Sequence, residues 1–251
     1  MPTAVSLYRY PVKGLSPQPL DSVDLTPGQT IPFDRAYAIE NGPSRFDPDA
    51  PKFLPKVSFL MLMRHERLAA LRTEFDEATE TLTIFRDGRQ VARGQLSTLL
   101  GRQLIDQFFA GYMKSELKGP ARIISAPGHS FSDGGAKCLH FVNLATVREV
   151  ERITGAKLDP LRFRANVYFD GAEAWEERHW VGREFKAGGA SFEIFAETER
   201  CDATNVNPAT HTRDTSIPPA LIRTYGNSHL GFYAMVKGGG RLAAGDAMEL
   251  V

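Results

Sequence analysis

Short segments in which apolar and polar residues alternate recur along most of the chain. Such segments lie at residues 4–10, 20–25, 33–39, 163–170 and 190–196. This period of two is typical of strands that bury one face. Frequent prolines and glycines separate the segments, and few stretches have helical features. The pattern predicts a mainly β fold with a few peripheral helices, in the α+β class, without dominant βαβ alternation.

The clearest helix signals are two capping residues. Ser97 would cap a helix that runs through Met113, and Asn143 would cap a second helix that stops at Gly155. The apolar stripe predicted for the first helix comprises Leu99, Leu100, Gln103, Leu104, Gln107, Phe108 and Tyr112. We expect this stripe to face the core.

Cys201 is the first candidate for chemistry. It follows an alternating segment and Arg200, and Asn207-Pro208 then ends any regular element. Cys201 is therefore expected on a loop at a strand end beside a positive charge, which favours the thiolate that attacks electrophiles or binds soft metals. The alternative is a small buried apolar residue, since free cysteine is often buried.

Several other polar residues have both a functional and a structural interpretation. Lys13 next to Gly14 puts a cation beside backbone that a ligand can approach, or it is a solvated lysine. Arg164 and Asn166, two apart in a predicted strand, would share one face. That face would suit an anionic or heteroaromatic ligand, or it is simply exposed. His140, in an apolar run, is expected to be a core histidine.

Three loops complete the set of candidates. Asp34-Arg35 at the start of a segment is a candidate site or a surface ion pair. Residues 41–56 form a long loop rich in proline and glycine, and such loops are often functional. Asp133 lies in a glycine-rich loop that lacks phosphate-loop spacing, so turn chemistry alone would explain it.

Composition narrows the function classes. The chain has 251 residues, with 30 basic and 30 acidic side chains, so no overall field attracts nucleic acid or membranes. Two distant cysteines give no disulfide framework and fit a reducing compartment. There is no signal-peptide pattern or long apolar run, so we expect a cytoplasmic protein without a membrane span or nucleic-acid partner.

Several separated motifs, in order, resemble the MOSC domain proteins. The motifs are Leu7-Tyr8-Arg9-Tyr10-Pro11-Val12-Lys13-Gly14, Asp34-Arg35, Arg162-Phe163-Arg164-Ala165-Asn166-Val167, Trp175-Glu176-Glu177, Trp180-Val181-Gly182, and Arg200-Cys201 with Thr204, Pro208 and Asp214. The resemblance covers nearly the whole chain. It implies a MOSC-type β-barrel core at 116–251 preceded by a β-barrel-like segment at 1–115, the two packed as one unit.

The chain is similar to bacterial relatives of the mitochondrial amidoxime-reducing component. That resemblance implies a pyranopterin molybdenum cofactor, no pyridoxal phosphate, and reduction of small N-hydroxylated or N-oxygenated molecules. Cys201 would be the molybdenum ligand, and Asp133 would orient a water or relay a proton. The residues implied to hold the pterin and its phosphate are Lys13, Gly14, Arg35, Arg164, Asn166 and Arg200.

The resemblance also defines departures and an alternative. The family usually has serine where Gly14 stands, and a glycine where His211 stands. No ferredoxin-like cysteine cluster follows, so electrons would come from a separate ferredoxin-, cytochrome b5- or flavoprotein-like donor. The alternative function is a non-catalytic carrier that holds the cofactor, or a persulfide on Cys201. A third interpretation is a β-barrel interaction domain in which Cys201 is structural.

Overall fold

The computed structural model describes residues 1–251, which form fifteen strands, three α-helices and five short 3-10 helices. The strands are β1 (Thr3–Arg9), β2 (Gln18–Leu20), β3 (Ser22–Leu25), β4 (Ala38–Asn41), β5 (Arg72–Asp76), β6 (Thr81–Arg86), β7 (Arg89–Gln95), β8 (Ala121–Ile124), β9 (Leu139–Asn143), β10 (Val167–Asp170), β11 (Glu184–Ala187), β12 (Ala190–Glu199), β13 (His229–Gly238), β14 (Gly240–Ala243) and β15 (Met248–Leu250). The α-helices are α1 (Leu99–Tyr112), α2 (Leu144–Thr154) and α3 (Ile217–Tyr225). The 3-10 helices are Lys56–Ser58, Glu66–Ala70, Pro160–Phe163, Glu176–Trp180 and Asp202–Asn205.

Eight strands form one curled sheet in the order β15-β11-β12-β13-β9-β10-β1-β2. The sheet bends back on itself, because the backbone N–H of Ala4 donates to Asp246 O at 2.9 Å and that of Met248 donates to Pro2 O at 2.8 Å. These bonds bring the first strand next to the last. The predicted mainly β class, with few helices, is confirmed.

Aromatic side chains fill the inside of this curled sheet. Phe141 and Phe232 stack with ring centroids 5.1 Å apart, and Phe185 and Phe192 stack at 4.8 Å. All four are at most 1% exposed and belong to a core of nineteen buried residues. Burying rings of this size supplies a large share of the hydrophobic free energy of folding.

A second core lies in the N-terminal half. It comprises sixteen buried residues between positions 12 and 123, packed between α1, the β5-β6-β7 sheet and the β4-β8 pair. The halves are joined by strand pairing, since β1 pairs with β10 and β3 pairs with β14. The boundary near residue 115 stays a prediction, but both sides of it contribute strands to shared sheets.

The stripe predicted for α1 is wrong. The helix buries Gly101, Ile105 and Phe109, while Leu99 and Leu100 are 75% and 68% exposed. Gly101 sets the rotation of the helix, because a Cβ there would lie 2.0 Å from Gln95 O. The helix therefore presents its small residue to β7. Thr98, not Ser97, is the N-cap, and its side chain accepts from the Gly101 N–H.

The second helix agrees with its prediction, from the Asn143 cap to Gly155 in the left-handed conformation. This helix connects β9 to β10, which pair in parallel. The fold thus contains one βαβ unit within a mainly antiparallel sheet.

Two predicted strands begin later than expected. The segment 33–39 becomes strand only at Ala38, so Asp34 and Arg35 lie in the preceding turn. The segment 163–170 becomes strand only at Val167. Arg164 follows a 3-10 helix in the left-handed conformation, with φ 53°. Arg164 and Asn166 therefore do not share a strand face, contrary to the prediction.

No helix in the structure combines the length and the apolar character that crossing a membrane requires.

Candidate functional site

A cleft between the two halves of the chain contains all the predicted site residues. Its lining includes Lys13, Gly14, Arg35, Asp133, Arg164, Asn166, Arg200 and Cys201. These positions are up to 188 residues apart in sequence (Lys13 to Cys201). The cleft is therefore a product of the tertiary fold.

Cys201 lies on the loop directly after β12, as predicted. It is the N-cap of the Asp202–Asn205 helix and is partly buried. The side chain of Lys56 approaches this thiol, and its ammonium lies 3.6 Å from Asp133 Oδ2. Burial lowers the pKa of Lys56, but Asp133 and Cys201 outweigh that effect, and the pKa is raised overall. Lys56 therefore keeps its positive charge at neutral pH.

Lys13 and Asp133 form an ion pair inside the cleft. The Lys13 ammonium is almost fully buried and also donates to Phe131 O at 2.8 Å. Burial lowers the pKa of Lys13, and Asp133 only partly offsets this. Burial raises the pKa of Asp133, but Lys13, Lys56 and Arg35 outweigh it and hold that pKa at about 2. Asp133 is therefore ionised at neutral pH.

Arg35 and Arg164 reach the cleft from left-handed backbone positions, with φ of 51° and 53°. Arg35 Nη1 donates to Asp34 Oδ2 at 2.5 Å, and Nη2 donates to Arg164 O at 2.8 Å. Arg164 Nη1 donates to Leu15 O at 2.8 Å. Such conformations are uncommon for residues with a side chain and are concentrated at functional sites.

Arg200 is fixed by two acceptors. Its Nη2 donates to Phe163 O at 2.6 Å, and its Nη1 lies 3.2 Å from His140 Nε2. An arginine can only donate, so this nitrogen of His140 is the acceptor. Burial, and then the charge of Arg200, lowers the pKa of His140 well below its ordinary value. His140 is buried as predicted, and it also lines the cleft.

The side chain of Asn166 mainly connects two strands instead of facing a ligand. Its Oδ1 accepts from the His140 N–H at 3.0 Å, and its Nδ2 donates to Tyr8 O at 3.2 Å. Both side-chain groups therefore have backbone partners on β9 and β1. The residue lines the cleft at 2% exposure, and it holds the two strands together at the cleft floor.

Sequence reasoning missed several cleft residues. Lys56 lies at the end of the proline-rich loop 41–56, and that loop was the only signal pointing to it. Tyr233 also lines the cleft, from an ordinary strand pattern. So does Cys138; burial raises its pKa to about 12, which keeps it a thiol.

The loop after Cys201 is closed by side-chain bonds. Asn207 Oδ1 accepts from the Ala209 N–H at 2.8 Å, so Asn207 caps the turn. His211, in the position of a family glycine, has φ 62°. The loop thus keeps the left-handed conformation that a glycine would favour, despite the different side chain.

The charges and donors of the cleft fit an anionic cofactor bound through sulfur. Six cationic side chains face three acidic ones: Lys13, Arg35, Lys56, Arg162, Arg164 and Arg200 against Asp34, Asp133 and Glu199. The buried Nε atoms of Arg162 and Arg200 have no hydrogen-bond partner. No cluster of three or more His, Cys, Asp or Glu side chains forms a metal site of its own. A metal here would take one ligand from Cys201 and the rest from its cofactor.

Comparisons with known proteins find similarity to one domain family and to several solved structures. A family model described as the MOSC domain matches residues 128–249. The YUAD protein from Bacillus subtilis aligns over 100% of this chain and 96% of its own, with 15% identity and a TM-score of 0.46. YiiM from Geobacillus stearothermophilus aligns over 45% of this chain with 21% identity and a TM-score of 0.36. This alignment spans 53% of that YiiM chain, about half its length. No curated protein sequence matches the chain.

Proposed function

Because this chain is a MOSC-domain protein, with the domain at residues 128–249, we propose that it binds a pyranopterin molybdenum cofactor and reduces small N-hydroxylated molecules. One observation carries the proposal. The fold gathers a loop thiol, Cys201, and six cationic side chains from both halves of the chain into one cleft. Guanidinium and ammonium groups suit a phosphate, and a thiolate suits a transition metal.

The residues of the cleft would each bind a different part of the cofactor, according to the chemistry of their side chains. Lys13, Arg35 and Arg164 would neutralise the phosphate and orient the pterin, because their donors converge on the cleft from fixed backbone positions. Arg200 would offer its unpaired Nε as a further donor. Cys201 would hold the metal, with Lys56 stabilising the thiolate that ligation requires.

The bound cofactor would supply a two-electron reduction of the N–O bond, with electrons from a separate donor protein. Side chains of the protein would orient the groups that take part in proton transfer. Asp133, with a pKa of about 2, is a poor proton donor at neutral pH and would orient water or substrate by accepting hydrogen bonds. Lys56 Nζ holds a proton beside both Cys201 and Asp133, at 31% side-chain exposure. Because its pKa is raised, it would keep this proton and donate hydrogen bonds to the substrate oxygen, and the protons that the reduction consumes would come from solvent.

The test uses protein expressed in a host that makes the cofactor. We expect about one molybdenum per chain and turnover of benzamidoxime with a chemical electron donor. Cys201→Ser should lose both, because an alcohol ligates molybdenum poorly in place of a thiolate. Cys138→Ser is the matched control and should retain both, since Cys138 stays a neutral thiol.

The outcomes separate the candidate functions. Molybdenum retained without turnover of several N-hydroxylated compounds would leave a cofactor carrier. The thiol of Cys201 beside Lys56 would equally hold a persulfide, so sulfane sulfur on that residue without molybdenum would favour a sulfur carrier. Neither molybdenum nor sulfane sulfur would contradict both proposals.

A further inference from the structure

Tyr10 is a buried aromatic residue next to Arg35 and Arg164, two of the four arginines that line the cleft. It follows β1, is 0% exposed, and its hydroxyl has no hydrogen-bond partner. The guanidinium carbon of Arg35 lies 4.3 Å from the centroid of its ring, and that of Arg164 also lies 4.3 Å away. Both distances are well within the range of cation–π attraction.

The backbone of Tyr10 fixes the same arrangement. Its carbonyl accepts from the Arg35 N–H at 2.7 Å, and its own N–H donates to Asp34 Oδ1 at 2.9 Å. Arg35 Nη2 then donates to Arg164 O at 2.8 Å. Tyr10 therefore connects two residues that are far apart in sequence and both in the left-handed conformation.

Two partly buried guanidiniums that share one ring need compensation. Burial lowers the pKa of Arg164, the phenol group of Tyr10 acts in the opposite direction, and the like charge of Arg35 lowers that pKa further. Asp34 pairs with Arg35 at 2.5 Å, but Arg164 has no carboxylate partner. The Tyr10 ring lies within cation–π distance of both cations.

We propose that Tyr10 is a positioning residue whose ring holds Arg35 and Arg164 together for the anionic group of a ligand in the cleft. The inference rests on the proposed anion-binding function of that cleft. We assign this role to the ring face, since both guanidiniums lie over the ring and the hydroxyl has no hydrogen-bond partner. Phenylalanine should therefore replace Tyr10, whereas leucine, which fills similar space without a π face, should not.

The experiment measures the affinity of the purified chain for pyrophosphate by calorimetry. We expect Tyr10→Phe to bind within about twofold of the wild type, and Tyr10→Leu to bind about tenfold more weakly. Phe109→Leu is the control, because Phe109 is an equally buried ring in the core of the N-terminal half. It should leave the affinity unchanged, so that general loosening is separated from arginine positioning.

A fluorinated phenylalanine at position 10 gives a second test that preserves shape. Fluorine withdraws charge from the ring face, so affinity should fall below that of Tyr10→Phe while the fold is kept. If Tyr10→Leu does not fold, the comparison of the fluorinated protein with Tyr10→Phe still tests the role of the ring face. Equal affinities of the fluorinated protein and Tyr10→Phe, or of a folded Tyr10→Leu and the wild type, would overturn the role of Tyr10. A wild type that binds no pyrophosphate would overturn the anion cleft itself, and the inference with it.

Discussion

Gly14 is the residue at which the wall of the cleft is most tightly constrained. It has φ 83°, and a Cβ there would lie 3.0 Å from Leu60 O and 3.3 Å from Leu68 Cδ1. The resemblance to the MOSC proteins implies a serine at this position. In this chain the carbonyl of Leu60 fills the space that a serine side chain would need. Gly14 therefore suits the local packing, and the absence of a serine hydroxyl here does not leave an unfilled space.

We predict that Gly14→Ser lowers the free energy of unfolding by about 2–4 kcal/mol, from left-handed strain plus overlap with backbone. Gly28→Ser is the matched control, because Gly28 has φ 67° but nothing within 4 Å of its Cβ position. It should cost only about 1 kcal/mol, for the backbone conformation alone. Urea denaturation of both variants checks the difference. Equal losses would mean that close packing at Gly14 is unimportant.

At the scale of single residues, the sequence predicted which residues line the cleft better than it predicted the contacts that each one makes. Every candidate site residue named from the sequence lines the cleft, and the resemblance to the MOSC proteins supplied most of that set. The partners were not visible. Lys56 reaches Cys201 across 145 positions of sequence, and the bond from Arg200 to Phe163 O depends on how two loops meet. Such contacts depend on tertiary packing, which residue patterns do not encode locally.

Among the elements, the loop that carries Cys201 is held in place by hydrogen bonds of the Arg213 side chain. Arg213 Nη1 donates to Asp202 O at 2.9 Å, and Nη2 donates to Met63 O at 2.9 Å. Its Nε donates to Glu66 Oε2 at 2.7 Å. One side chain therefore ties the Asp202–Asn205 helix to the N-terminal half, next to the cleft.

Arg213→Ala should release this loop. We expect amide exchange at residues 203–206 to become about tenfold faster, and the free energy of unfolding to fall by about 1–2 kcal/mol, since charge-assisted bonds to backbone are lost. Arg223→Ala, an exposed arginine on α3, is the control and should change neither. Hydrogen exchange with mass spectrometry resolves the loop. Unchanged exchange there would show that the loop is held without Arg213.

Elements were predictable where one local signal dominates. The Asn143 cap and the left-handed Gly155 define α2 without help from the rest of the fold. The rotation of α1 was not predictable from its leucines, because the close approach of Gly101 to Gln95 decides which face is buried. Likewise, Arg164 was assigned to a strand because alternation alone cannot reveal a left-handed residue before that strand.

At the scale of the whole molecule, the cleft lies where the N-terminal and C-terminal halves pack against each other. Lys13, Arg35 and Lys56 come from the first half, and Arg164, Arg200 and Cys201 come from the second. The core of the curled sheet includes Ala4, Leu7, Leu25 and Ile31 from the first half. Removing either half would leave strand edges unpaired and apolar surface exposed. A site built this way forms only when both halves have folded together.

Unfolding in urea should therefore be a single transition. Both tryptophans, Trp175 and Trp180, lie in the second half, so their fluorescence reports that half alone, whereas far-ultraviolet circular dichroism reports the whole chain. We expect the two curves to coincide. Phe109→Leu, in the first half, should cost about 1–3 kcal/mol and shift both curves equally. A fluorescence midpoint unmoved by Phe109→Leu would mean that residues 1–115 unfold as a separate domain, because the loss of core packing would then not reach the curled sheet.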